Sequence, residues 1–170
     1  MKRFFLFSSL LLLFQCKNDD LARYIDLYNN SGSPISYYLP WEDSVFYPDT
    51  ILPEITPTLY KPYLFNKQWS VNFGSPGPNE NQLFAMFPTD TLSIFFFDPD
   101  TLVKYDWRII QEEYKILVRY DLSHSDLKKL NWRIDYPPTE AMKDVKMYPP
   151  YKEMNLITTP YHTLKALRKQ

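Results

Sequence analysis

The chain has 170 residues, with 19 Lys and Arg against 20 Asp and Glu, a formal net charge of −1. No basic stripe breaks this balance, which argues against nucleic acid as a partner. One cysteine excludes an intramolecular disulfide, and three glycines are too few for a glycine-rich phosphate loop.

At the amino end, Lys2 and Arg3 form a short basic region, and residues 4–14 form an apolar run of Phe, Leu and two Ser. A membrane-crossing helix needs roughly 20 apolar residues to span about 30 Å, so this run is too short. It fits the core of a secretory signal, roughly 7–15 residues long. Lys17, Asn18, Asp19 and Asp20 then turn the chain abruptly polar. Leu13-Phe14-Gln15 lacks the small residues of an ordinary signal-peptidase site. The run instead stops one residue before Cys16, the only cysteine, and Leu13 lies three residues ahead of it. This resembles a bacterial lipobox, although Phe14 and Gln15 depart from its usual small residues. The resemblance implies cleavage before Cys16, acylation of Cys16, and its use as the new amino terminus. Lipoproteins of the Bacteroidetes group often carry looser boxes of this kind. They often have acidic residues after the cysteine, associated with display on the outer leaflet. Residues 1–15 are therefore expected as leader and residues 16–23 as anchor and short tether. Two or three acyl chains give stable attachment, since each buried methylene contributes about 0.8 kcal/mol.

Loss of Lys2 and Arg3 with the leader would leave 17 basic against 20 acidic side chains, a mildly acidic net of −3. Fourteen Tyr, twelve Phe and four Trp make 18% of the chain, and fifteen prolines face three glycines. Aromatic side chains favour strands. Proline sets turns through its fixed φ where glycine is scarce.

In chain order, residues 21–30 alternate, with Tyr24, Asp26 and Tyr28 on one side and Ile25 and Leu27 on the other. A turn cluster at 29–34 and a second alternating run at 35–39 predict a β-hairpin. Residues 40–62 carry five prolines and are expected as loops with short edge strands at 44–47 and 58–60. Residues 68–73 alternate Trp69, Val71 and Phe73 and predict a strand; 74–82 is a loop, and 83–87 is a candidate short strand. Residues 91–97, Thr-Leu-Ser-Ile-Phe-Phe-Phe, are apolar on both faces towards their end, which predicts a central buried strand stopped by Asp98-Pro99-Asp100-Thr101. A helix capped by Asp106 follows, burying Trp107, Ile110 and Tyr114 on one face. Residues 115–120 return as a strand. Ser123 and Asp126 form an approximate capping box for a second short helix buried through Leu127 and Leu130. Trp132, Ile134 and Tyr136 alternate in a last strand, closed by Pro137-Pro138.

The expected domain therefore spans 24–136. Residues 137–170 are expected as a Pro- and Tyr-rich extension, mostly extended and packed back on it, with a frayed helix near 162–169. The expected fold class is mainly β, a β-sandwich with an immunoglobulin-like form among the options, with two short helices. A barrel or an open antiparallel α+β sheet is the alternative; alternation supports antiparallel pairing without choosing between these.

The segment 91–136 resembles a known group on three stretches: Asp-Thr-Leu-Ser-Ile-Phe-Phe-Phe-Asp; a Trp-bearing helix ending in Tyr-Lys-Ile-Leu; and Arg-Tyr-Asp-Leu-Ser followed by Asp-Leu-Lys-Lys-Leu-Asn-Trp. It is similar to small uncharacterised lipoproteins of Bacteroides-type gut bacteria. That resemblance covers about a third of the chain. It implies an envelope location and carries no assigned activity.

Catalytic motifs are scarce. With the one cysteine at the anchor, a Cys-His nucleophile is excluded, and no G-x-S-x-G or H-E-x-x-H occurs. His124 with Asp121 or Asp126 reads as turn and capping chemistry before it reads as a serine-hydrolase pair. Glu112 and Glu113 with an Asp are formally a glycosidase pair, but adjacent glutamates on a helix usually form a solvated face. No metal or cofactor is expected. Asp98 and Asp100 come nearest to a calcium site, which needs six to eight oxygens. Tyr38, Trp41, Tyr47 and Tyr63, in the proline-rich first half, are candidate ligand-binding residues that could stack on sugar rings; the competing reading is core. The favoured function is a non-catalytic, lipid-anchored envelope domain, held to the outer membrane through acylated Cys16, that binds or scaffolds another component. A carbohydrate-binding surface lipoprotein is the alternative and a small carboxylate-dependent hydrolase the second.

Overall fold

The computed structural model describes residues 25–39, 51–52, 63–73, 84, 87 and 89–156. The expected leader and tether, Cys16, the expected strands at 44–47 and 58–60, and the expected helix near 162–169 lie outside these residues.

Among the described residues, eight strands form two sheets. They are β1 (Ile25–Asn29), β2 (Ile35–Tyr38), β3 (Tyr63–Leu64), β4 (Trp69–Phe73), β5 (Thr91–Phe97), β6 (Val118–Ser123), β7 (Arg133–Tyr136) and β8 (Lys146–Tyr148). One sheet has the order β4-β1-β7 and the other β3-β2-β5-β6-β8, so both are open and neither is a closed barrel. Four short α-helices accompany them among the described residues: α1 (Pro99–Lys104), α2 (Trp107–Glu112), α3 (His124–Lys129) and α4 (Tyr151–Leu156). The fold is mostly sheet, with twice the expected number of helices.

The expected β1–β2 hairpin does not form. β1 pairs with β4 antiparallel and with β7 parallel, whereas β2 pairs with β3 and β5 in the other sheet. The reason lies in Asn29, which is fully buried. Its amide donates to the carbonyls of Ser33 and Leu64, each at 2.7 Å, and its Oδ1 accepts from the Ser31 amide and hydroxyl. These bonds steer residues 30–34 out of the first sheet and tie them to β3 of the second. Gly32, at φ +84, takes the left-handed step of that passage. The β1–β7 pair also departs from the expected all-antiparallel pairing: Asp26, Leu27 and Tyr28 face Arg133, Ile134 and Asp135 in parallel register.

β5 is central in its sheet, as its two apolar faces require. Leu92, Ile94 and Phe96 enter a core shared with Ile25 and Leu27 of β1, Tyr120 of β6 and Ile134 of β7. Phe95 and Phe97 point the other way, into a second cluster with Leu52, Trp107 and Ile110. One face of the five-stranded sheet thus shares a core with the three-stranded sheet, and helices α1 and α2 cover the other. Two tyrosine hydroxyls link the sheets through the shared core. Tyr37 of β2 meets Ser70 of β4 at 2.7 Å, and Tyr120 of β6 donates to the Asp135 carbonyl of β7 at 3.2 Å. Burial pushes the Tyr120 phenol well above its ordinary range, with the Tyr136 and Asp135 charges adding to the rise. Burial also raises Tyr37, against the opposing bond from Ser70. Both hydroxyls therefore stay protonated through neutral pH.

Asp98-Pro99 opens a helix rather than only stopping β5. The Asp98 carboxylate accepts from the Asp100 amide at 3.0 Å, Pro99 sits in the first turn where its missing N–H costs nothing, and Lys104 closes the last turn. Asp106 occupies the N-cap position of α2 but makes no side-chain capping bond, while Trp107 and Ile110 are buried as expected. The α3 capping box is complete, with Ser123 and Asp126 bonding each other's backbone amides. Phe84 lies in a helical turn, against the expected strand at 83–87. Residues 137–156 supply more than extended chain: β8 pairs with β6, α4 follows, and Met142, Val145, Met147 and Met154 enter the shared core.

Asn29→Ala leaves the Leu64 carbonyl buried without its donor, and should cost about 3 kcal/mol in urea unfolding of the full chain. A loss under about 1 kcal/mol would show that the crossing does not depend on this amide. Ser36 gives the opposite test. Its hydroxyl is buried and has no hydrogen-bond partner among the described residues. Ser36→Ala should therefore stabilise the fold by about 1 kcal/mol, and a destabilisation of that size would reveal a partner for the hydroxyl.

Candidate functional site

Of the sequence-predicted site residues the structure describes Tyr38, Tyr63, Asp98 and Asp100. Cys16, Trp41 and Tyr47 lie outside the described residues. Tyr38 is half-buried, its ring 6.3 Å from Phe95, so it packs into the second core cluster. Tyr63 pairs with Ser36 at the sheet edge and is 44% exposed. Asp98 and Asp100 line a cleft of about 160 Å³ with Ser31, Ser33, Pro34 and Tyr136. Asp98 serves there as the α1 cap, and among the described residues no three His, Cys, Asp or Glu side chains gather to hold a metal ion.

The catalytic candidates have structural duties. His124 stacks on Phe84 at 4.9 Å and meets Trp132 edge-on at 5.9 Å. Asp126 bonds the Ser123 amide and hydroxyl, and Asp121 bonds Arg119 and Ser93. Glu112 and Glu113 pair with Arg108 and Lys115 on the exposed side of α2.

The sheet faces hold two constellations of another kind. Each is built on an Arg-x-Asp triplet within a strand, where the two-residue period sends both charged side chains to one face. In β6, the residue between is the inward Tyr120; in β7 it is the inward Ile134. On the helix-bearing side of the five-stranded sheet, Arg119 Nε bonds both oxygens of Asp121 at 3.0 and 3.1 Å. Asp121 Oδ1 also accepts from the Ser93 hydroxyl at 2.7 Å, across the β5–β6 register. The Arg119 guanidinium donates to the Tyr114 hydroxyl and lies over the Tyr148 ring. The Asp121 side chain is fully buried, and that of Arg119 nearly so.

On the outward face of the three-stranded sheet, Arg133 bonds Asp135 Oδ1 through Nε at 3.0 Å and Nη2 at 2.7 Å. Its guanidinium lies 4.7 Å from the Trp69 ring centre and 5.2 Å from that of Tyr28. Those two rings, neighbours across β1 and β4, are 4.4 Å apart and tilted by 33°. Asp26 stands beside Arg133 in register. This constellation is the more open of the two: Trp69 is 44% exposed and the Arg133 side chain 49%, although the Asp135 side chain is only 12% exposed. Arg133 Nη1, Asp135 Oδ2 and the Asp26 carboxylate make no hydrogen bond among the described residues. Two rings, a donor fork and two acceptors on one exposed face can bind a ligand that is apolar on one side and rich in hydrogen-bonding groups on another.

The alternation in β1 and β7 assigns Asp26, Tyr28, Arg133 and Asp135 to the faces opposite Leu27 and Ile134. It carries no sign that those two faces adjoin. Trp69 was expected on the apolar side of its strand, but Ser70 turns inward to Tyr37 instead.

Comparison with family models, curated proteins and solved structures finds no match for this chain.

Asp121→Ala strands a nearly buried guanidinium and should cost about 3 kcal/mol or more in urea unfolding. Asp135→Ala, whose arginine keeps its water, should cost about 1 kcal/mol or less. Equal losses would contradict the contrast between a closed and an open constellation.

Proposed function

We propose that the protein is a lipid-anchored component of the bacterial cell envelope, held in the outer membrane through acylated Cys16, and that its folded part is a non-catalytic module that binds or scaffolds another component. The observation that carries this reading is the placement of the one cysteine directly after a short apolar run, with Leu13 three residues before it and acidic residues after it. We read the two sheets as a β-sandwich. Their common core and the Tyr37–Ser70 and Tyr120–Asp135 links support that arrangement. The open face of the three-stranded sheet is the binding surface in this reading.

The anchor constrains where that surface works. Eight residues, nine Cα–Cα steps, separate Cys16 from Ile25, the first residue of β1. Even fully extended, they reach about 30 Å, so the module stays near the membrane.

Cys16→Ala should abolish incorporation of labelled fatty acid and release the protein from membranes; persistent labelling would refute the acylation site. The binding arm is tested by crosslinking anchored protein in native envelopes from residues flanking Trp69. A reproducible product that disappears in Trp69→Ala supports the module, and the same product pattern in both proteins removes this face from the reading.

A further inference from the structure

We propose that the outward face of the three-stranded sheet is a carbohydrate platform, with Trp69 and Tyr28 as stacking rings and Arg133, Asp135 and Asp26 as the groups that hold sugar hydroxyls. This rests on the reading of the folded part as a binding module and names its ligand class, a neutral pyranose chain.

The chemistry of the face selects that class. A pyranose offers an apolar C–H face and, around its rim, hydroxyls that both donate and accept. Trp69 presents an indole that is 44% exposed, with Tyr28 beside it, which suits the C–H face. Arg133 Nη1 is a donor on the far side of the guanidinium from the Nε and Nη2 edge that holds Asp135 Oδ1, and Asp135 Oδ2 is an acceptor that makes no hydrogen bond among the described residues. Separate sugar hydroxyls can accept from the first and donate to the second. Asp26, across the register from Arg133, adds a further acceptor.

The same groups disfavour other ligands. Two carboxylates against one guanidinium give the patch a net negative sign, so a phosphate or carboxylate ligand would meet repulsion as well as attraction. A purely apolar ligand would have to strip water from three charged groups without replacing their bonds. A neutral polyol meets neither cost.

The face is also preorganised. Arg133 is clamped at one edge by Asp135 and lies over the Trp69 and Tyr28 rings, so less side-chain freedom remains to be lost on binding. The closed Arg119–Asp121 constellation provides an internal control. It has the same strand triplet and an aromatic ring under the guanidinium, yet both oxygens of its carboxylate are engaged by Arg119 and Ser93. In the three-stranded sheet the corresponding oxygen makes no hydrogen bond among the described residues, and the Asp135 side chain is 12% exposed.

The test uses the full-length protein in detergent micelles and isothermal titration with neutral oligosaccharides of glucose, mannose, galactose and xylose, with sulfated and sialylated sugars as charged controls. At least one neutral probe should bind saturably in the millimolar range or tighter and perturb tryptophan fluorescence. Trp69→Ala and Arg133→Met should each weaken it by about tenfold or more, roughly 1.4 kcal/mol. Trp69→Phe should retain part of the affinity, which guards against a misfolded Trp69→Ala, and Asp26→Asn should weaken binding without altering the melting temperature. The proposal is overturned if no neutral probe binds, if binding survives both Trp69→Ala and Arg133→Met, or if only charged sugars bind. Should sugar binding fail while Cys16→Ala still frees the protein from membranes and Trp69→Ala still removes a crosslinked partner, the anchored-module reading stands and the sugar assignment alone falls.

Discussion

The architecture depends on one buried amide. Asn29 ends β1 in the first sheet and, through four hydrogen bonds, fixes the chain that leads to β2 in the second. Its backbone is engaged as well, with its N–H on the Gln68 carbonyl and its carbonyl accepting from Lys67. An amide can donate twice and accept twice from one position, and here it does both with protein partners. A hydrophobic residue at this point would leave several backbone groups of the crossing unpaired. Once β1 and β2 are parted, β1 is free to become the middle strand of its sheet, and β7 can add to its open side. The exposed arrangement of Tyr28, Trp69 and Arg133 follows from that parting.

The core reflects the composition. With three glycines and fifteen prolines, the chain cannot rely on permissive turns, and its apolar volume comes largely from aromatic rings. Phe96 stacks on Tyr136 at 5.4 Å and meets Tyr120 at 5.2 Å, which joins both sheets through ring contacts. Rings with a hydroxyl carry a polar atom into the interior, and each such atom needs a partner. Tyr37 and Tyr120 meet that need across the sheet-to-sheet boundary, so their polar tips fix the sheets' relative position while their bodies fill the core.

Features set by local chemistry were legible in the sequence. The two apolar faces of residues 91–97, the Ser123–Asp126 capping box and the buried Trp107–Ile110 stripe each depend on residues a few positions apart. Features set by distant partners were not. The cluster at 29–34 gives the same turn signal whether the chain folds back or crosses over, and only the distant Leu64 carbonyl decides between them. The parallel β1–β7 pair joins residues more than a hundred positions apart and leaves no periodic trace. Asp98-Pro99 was ambiguous for another reason, since the residues that stop a strand are those that start a helix. The candidate site was half legible: the faces of its residues could be read, their adjacency could not. Trp69 was misleading because a polar inward contact, Ser70 with Tyr37, overrode the apolar alternation of its strand.

The two Arg-x-Asp strands make the functional argument physical. An arginine clamped to a carboxylate two residues away and laid over a ring is a stable unit wherever two strands adjoin. What differs is how much of its hydrogen-bonding capacity the protein itself uses. Beneath the helices, Asp121 is engaged on both oxygens and the unit serves stability, because burial makes any vacancy there costly. On the three-stranded sheet the clamp is equally tight, but Nη1 and Oδ2 are unused by the described residues, and half of the Arg133 side chain and much of the Trp69 surface are exposed. Water satisfies those groups without ordering them, and a ligand that replaces that water meets side chains already in position. Capacity that is rigidly held and internally unused distinguishes a binding surface from an ordinary solvated face, and among the described residues this face has both properties.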